Sequence, residues 1–204
     1  MQLMKYFSCL IIAIILFNQT NAQTKLLQFS AGTNLNGTGD SFGFSFFTEY
    51  SKKFKKNFTW SNSLGGTIND GTLYSIFYQT PSGQVSDGSI RYTTAGFQAA
   101  SHIGYSFIAS QKHDFQLRLG SVIRYQSNSL PDAVSLEPIT GVPFPVIVFQ
   151  NLRPLRTLAL GGSGQLVYNY TLKNNFCLGV LAGLQFDTEG DTIFQFMFTI
   201  GKRF

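Results

Sequence analysis

The chain has 204 residues, of which 15% are aromatic and only 12% charged, about half the ~25% charge of ordinary soluble domains; this argues against a conventional soluble enzyme. Fifteen Lys and Arg against ten Asp and Glu give a formal charge of +5. The basic residues are dispersed along the sequence without a dense Lys/Arg run that could track a phosphate backbone, so nucleic acid is not expected as a partner. One domain suits this length, and 20 Gly with 21 Phe point to many short strands rather than helices.

Met1–Tyr6 carries Lys5, Phe7–Phe17 is apolar apart from Ser8 and Cys9, and Asn18–Ala22 is polar and ends on a small residue. The apolar stretch falls short of the ~20 residues a membrane-spanning helix needs, so residues 1–22 are read as a cleavable secretory signal and the mature chain as 23–204. Cys177 is then the only thiol, and no disulfide can form within the mature chain.

From Gln23 onward the recurring pattern has period two, the signature of strands with one apolar side. Leu26–Leu35 aligns Leu27, Phe29, Ala31 and Leu35; Ser41–Ser51 aligns Phe42, Phe44, Phe46 and Tyr50; Phe58–Gly66 aligns Phe58, Trp60 and Leu64, with Asn62 as an exception. Thr93–Ala109 aligns Phe97, Ala99, Ile103, Tyr105 and Phe107, and Asp114–Gln126 aligns Phe115, Leu117, Leu119, Ile123 and Tyr125. Leu158–Leu172, Phe176–Asp187 and Phe194–Phe204 complete a set of eight. Antiparallel pairing must place apolar faces side by side. Tyr50 with Phe58, Phe107 with Phe115, Tyr170 with Phe176 and Phe186 with Phe194 all satisfy that condition.

Three connections share one theme, an aromatic residue, a short polar turn with Lys, then Asn or Asp followed by Phe: Tyr50 to Phe58, Tyr105 to Phe115, and Tyr170 to Phe176. They alternate with the long connections Asn69–Arg91 and Ser127–Arg156. Short turns at one end and long loops at the other, with aromatic residues bracketing the short turns, are the asymmetry of a transmembrane barrel. The face opposite the apolar one decides between lipid and an internal core. It carries Gln28, Ser30, Ser45, Ser61, Ser63, Gln98, Ser106, Gln116, Ser163, Gln165 and Gln185 with glycines, whereas a soluble barrel would show roughly 25–35% charge there. The expected fold is therefore all-β, an eight-stranded antiparallel up-and-down transmembrane β-barrel.

The chain ends on Phe204, preceded at alternate positions by Lys202, Ile200, Phe198 and Phe196. This resembles the C-terminal signature by which outer-membrane barrels of Gram-negative bacteria are recognised for assembly, with Lys202 where members usually carry an aromatic or apolar residue. Together with the leader, the strands and the Lys-containing turns, the mature chain resembles the small eight-stranded outer-membrane β-barrel proteins of the PorT-like and OmpA-like superfamily. The resemblance implies export to the cell outer membrane, contact with outer-membrane lipid, and recognition by the barrel-assembly machinery through the last strand. It implies no particular activity, since one fold hosts many roles.

An eight-stranded interior is filled by side chains, so an open solute pore is not expected. The inward charges are Glu49, His102, Arg118 and Arg124, and because charges in a dry lumen must pair, a structural network is expected, with Glu49 against Arg118. Some similar barrels modify lipid A or phospholipid with Ser, His and an acid, but His102 and His113 lack such a local motif and no Ser-His-acid spacing stands out. One Cys and two separated His give no metal cluster. Gly161-Gly-Ser-Gly164 has neither the Lys nor the helix of a phosphate loop, so no cofactor is expected. Five of the six prolines, Pro131, Pro138, Pro143, Pro145 and Pro154, fall between strands five and six, making that loop stiff and irregular. Within it Val142, Phe144, Val146, Ile147, Val148 and Phe149 are more apolar than an exposed loop readily tolerates; they either cover the barrel mouth, touch lipid, or dock a protein or ligand. The leading expectation is a non-enzymatic outer-membrane protein acting through its long loops. The alternatives are a membrane-embedded lipid-modifying enzyme and a soluble periplasmic barrel holding an apolar ligand.

Overall fold

The computed structural model describes residues 25–37, 41–79, 83–137, 146–150 and 155–204. The leader, residues 1–22, and Val142 and Phe144 of the apolar loop lie outside them. In chain order the strands are β1 (Lys25–Asn36), β2 (Ser41–Lys55), β3 (Phe58–Tyr74), β4 (Phe77–Gln79), β5 (Val85–Asp87), β6 (Ile90–Ala109), β7 (His113–Asn128), β8 (Ala133–Glu137), β9 (Val146–Gln150), β10 (Leu155–Thr171), β11 (Phe176–Asp187) and β12 (Thr192–Arg203). β1, β2, β3, β6, β7, β10, β11 and β12 pair successively and close into an antiparallel barrel, with β12 returning to β1. At the seam Lys25 N donates to Phe204 O at 3.2 Å and Phe204 N donates to Lys25 O at 2.8 Å. Closure leaves no sheet edge, the condition for placing strands in a hydrocarbon phase. No helix among the described residues is long and apolar enough to cross a membrane, which says nothing of crossing by strands.

Alternation sets the direction of every barrel side chain. Phe42 is 62% exposed, Leu158 65% and Phe198 69%, whereas Ser45 and Arg118 are 0% exposed inside. Most of the buried side chains are Ser, Thr, Asn, Gln or charged, and the large apolar residues stand on the outer wall. This inverts a soluble protein, so among the described residues the apolar interior required by a soluble ligand-carrying barrel is absent. Inside, Phe47, Val167, Leu181 and Met197 form a small apolar cluster.

The hairpins keep the parity read from the sequence but not every register. Tyr50 lies opposite Asn62 rather than Phe58, with a bulge between Lys53 and Lys55. Tyr170 faces Leu178 rather than Phe176, and Phe186 faces Thr192 rather than Phe194. Phe115 lies opposite Ile108, because a bulge between Ser106 and Ile108 sets the turn. The slips at Tyr50, Tyr170 and Phe186 are even-numbered and preserve which face is apolar, so alternation alone could not detect them, while at Phe115 a one-residue bulge is confined to the turn. The first long connection extends its hairpin, as the alternation through Leu73–Tyr78 and the return through Ile90–Tyr92 lead one to expect, and the second is more regular than expected. β3 runs to Tyr74 and β6 starts at Ile90, above which β4 and β5 pair. Between β7 and β10, Ala133–Glu137 pairs with Val146–Gln150, so the segment read as an irregular loop contains a hairpin.

Candidate functional site

The lumen is built from inward positions on all sides of the barrel. Near the short-turn end, Arg118 on β7 donates through Nη1 to Glu49 Oε1 at 2.7 Å and Oε2 at 2.8 Å, and through Nε to Gln116 Oε1 at 2.9 Å. Gln116 Nε2 in turn donates to Asp114 Oδ2 at 3.0 Å, and that carboxylate pairs with Lys53 at 3.0 Å and Arg203 at 3.3 Å. A chain of charged and amide groups thus runs from Glu49 to the barrel floor. His102 sits alongside, its Nε2 2.6 Å from Ser163 Oγ, and its Nδ1 is buried without a hydrogen-bond partner.

Arg124 belongs to a different group at the long-loop end. It pairs with Asp187 at 2.7 Å and also with Asp191, to which Gln126 Nε2 donates at 3.2 Å. The four inward charges of the sequence therefore fall into two clusters rather than one network. The sequence places Asp187 on the polar face of its strand with Gln185, and Asp114 at the first position of its own strand with the parity of Gln116; neither is counted there among the inward charges, yet each holds a basic side chain. Between the two clusters lies a cavity of about 10 Å³, bordered by Phe47, Glu49, Gln98, Gln185 and Met197, room for roughly one water. At the outer mouth a polar recess of about 200 Å³ is lined by Asn36, Tyr92, Gln126, Asn128 and Asp191.

The groups brought together in the lumen form ion pairs and hydrogen bonds. His102 is 1% exposed, and the Ser163 contact occupies its one hydrogen-bonded nitrogen while no carboxylate orients the other, so the Ser-His pair lacks the third member of a hydrolytic triad. No group of His, Cys, Asp and Glu among the described residues could hold a metal. His113 stands outside, its Nδ1 2.8 Å from Tyr168 Oη. Of the apolar loop residues, Val146, Ile147, Val148 and Phe149 lie in β9, paired with β8 from Val134 to Glu137.

The outer wall carries a second feature. Around the short-turn end aromatic rings touch in sequence: Phe54 with Phe58 at 6.0 Å, Phe58 with Tyr105 at 5.2 Å, Tyr105 with Phe107 at 5.3 Å, and Phe107 with Phe115 at 6.1 Å. His113 with Tyr170 at 5.2 Å continues the belt onto β10. A belt of Phe and Tyr rings is the pattern of an interfacial girdle in transmembrane barrels. The lysines, dispersed in sequence, gather beside it: Lys25, Lys52, Lys53, Lys55, Lys56, Lys112, Lys173 and Lys202 all lie in the short turns or the strand ends next to them.

No protein-family model and no curated protein matches the chain. Among solved structures it is similar to Ail, the attachment invasion locus protein of Yersinia pestis, with a TM-score of 0.55 and 11% identity over 91% of this chain and 100% of that one. A second structure of Ail, in complex with the heparin analogue sucrose octasulfate, gives 0.53 and 12% over 89% of this chain and 99% of that one. A major outer membrane protein from Thermus thermophilus gives 0.53 and 11% over 90% and 100%. The shared property is the fold, a small eight-stranded antiparallel β-barrel.

Proposed function

We propose that the chain is an integral outer-membrane β-barrel protein of a Gram-negative envelope, exported through the secretory pathway by residues 1–22 and without catalytic activity. Its long surface connections, about 69–91 and 127–156, mediate interaction or envelope integrity. The observation that carries this reading is the inverted wall: large apolar side chains outside a polar, ion-paired and filled lumen, an arrangement stable only where lipid replaces water. The similar solved folds, two of Ail and one of an outer membrane protein, support it. The sulfated-sugar ligand of one Ail structure is not carried over to this chain.

Envelope fractionation followed by a gel with and without boiling tests the proposal. Recovery in the outer membrane with a heat-dependent mobility shift is expected, since a closed barrel resists detergent; a soluble, unshifted protein would sink it. The competing lipid-modifying enzyme needs His102, so lipid profiles of cells carrying only His102→Ala are expected to match those of cells with the native chain. A changed profile would overturn the non-catalytic assignment.

A further inference from the structure

Lys25 of β1 lies directly opposite Lys52 of β2 in the antiparallel register, and Lys202 of β12 lies opposite Leu27, two positions along on the other side of β1. All three share the outward parity of Leu27, Trp60 and Ile200, so they cluster on the lipid-facing wall at the barrel seam. Like charges placed opposite each other in a sheet repel. Elsewhere the barrel relieves such repulsion with its own carboxylates, as Asp114 does for Lys53 and Arg203. Here it does not: among the described residues Lys25, Lys52 and Lys202 make no ion pair, and Lys202 instead stands over the Phe176 ring, 5.5 Å from its centroid. Glu49 is close in sequence to Lys52, but its side chain is buried in the lumen against Arg118.

No carboxylate side chain among the described residues pairs with these three ammonium groups, which leaves them open to an anion from outside the chain. The three ammonium groups stand at the height of the aromatic girdle, where lipid headgroups meet the apolar wall, and long lysine stems can lie along that wall with their charges at the interface. We infer that Lys25, Lys52 and Lys202 form a seat for the headgroup of an anionic phospholipid in the leaflet adjoining the short turns. The seat rests on the membrane reading given above. It ties lipid to the strands that close the barrel, so an occupied seat would reinforce the β1–β12 junction.

Trp60 lies opposite Lys52 and is the single tryptophan, so its fluorescence reports on the lipid held there. The full mature chain would be reconstituted in phosphatidylcholine vesicles containing dibrominated phosphatidylglycerol or, at the same mole fraction, dibrominated phosphatidylcholine as quencher. Stronger quenching by the anionic lipid is expected, with a relative affinity of roughly fivefold or more, since each basic residue near an anionic lipid surface contributes about a fivefold preference. Lys25→Gln, Lys52→Gln and Lys202→Gln together are expected to bring the two quenchers level, while Lys56→Gln, Lys112→Gln and Lys173→Gln in the turns leave the preference in place. Equal quenching in the native protein overturns the inference, as does equal loss in both triple variants, which would mean a diffuse field rather than a seat. Millimolar inorganic phosphate is expected not to compete; competition would make this a soluble-anion site and overturn the lipid assignment. Heat-dependent gel mobility monitors folding of each variant. A native chain that inserts yet shows no preference refutes the seat alone, whereas a native chain that does not insert refutes the membrane reading with it.

Discussion

Arg118 is fully buried and its guanidinium meets both oxygens of Glu49. Removing one partner of such a pair leaves an uncompensated charge in a nearly dry lumen, which costs more than the pair itself contributes. Arg118→Met is therefore expected to lower unfolding stability in vesicles by about 3–5 kcal/mol, and adding Glu49→Gln to recover much of that loss; urea titration of refolded protein measures both. A single variant as stable as the native chain would show the pair to be solvated. Close packing is as demanding at Gly120, where a Cβ would run into the Ser101 carbonyl oxygen and lie 2.6 Å from His102 Cδ2, so Gly120→Ala is expected to destabilise by the same measurement. Inward parity can be read from alternation one residue at a time, whereas partners depend on register and barrel closure. Glu49 and Arg118 are readable as opposite charges on inward faces of the same end. Of the partners of Arg124, Asp187 is readable as inward but its register with Arg124 is not, and Asp191 sits in the following turn.

Strand existence follows from period-two apolarity, but strand length does not. β3, β6 and β10 continue beyond the last strongly apolar positions because backbone pairing does not need lipid on either face. Leu155 still pairs with Asn128 and Tyr74 with Ile90. From apolarity alone β10 starts near Leu158 and the residues before it read as loop, whereas Leu73–Tyr78 and Ile90–Tyr92 already read as an extension of the β3–β6 hairpin. The hairpin of β8 and β9 is hidden in the same way, because its prolines fall around the paired residues rather than within them: Pro131 precedes β8, and Pro138 and Pro145 flank the connecting segment. The barrel pairs beneath that hairpin are complete without it. Excising Ala133–Gln150 and joining the flanks with a short glycine linker is accordingly expected to leave the heat-dependent mobility shift intact while abolishing capture of any partner docking through Val146–Phe149. Failure of the excised chain to assemble would instead make the hairpin part of the folding unit.

Across the whole molecule, composition hides an asymmetry that topology reveals. The formal charge of +5 is modest, yet the lysines converge on the short-turn end while Asp70, Asp87, Asp132, Asp187, Glu189 and Asp191 lie toward the long-loop end or within its connections. Antiparallel strands produce this sorting without any charge run in the sequence, since residues far apart in the chain return to the same end at every second connection. If the short turns face the periplasm, as the alternation of short and long connections favours, the molecule offers amines to one side of the membrane only. A membrane-impermeant amine-reactive reagent is expected to leave the protein unlabelled in intact cells and to label it once the envelope is opened. The converse probe is a cysteine placed at Thr188, in the turn between β11 and β12, which is expected to react with an impermeant maleimide in intact cells; the native Cys177 is 1% exposed and gives no competing signal. Amine labelling in intact cells, with Thr188→Cys protected, would show that the barrel is inserted with its lysine rim outward, and the anionic seat at the seam would then face the outer leaflet.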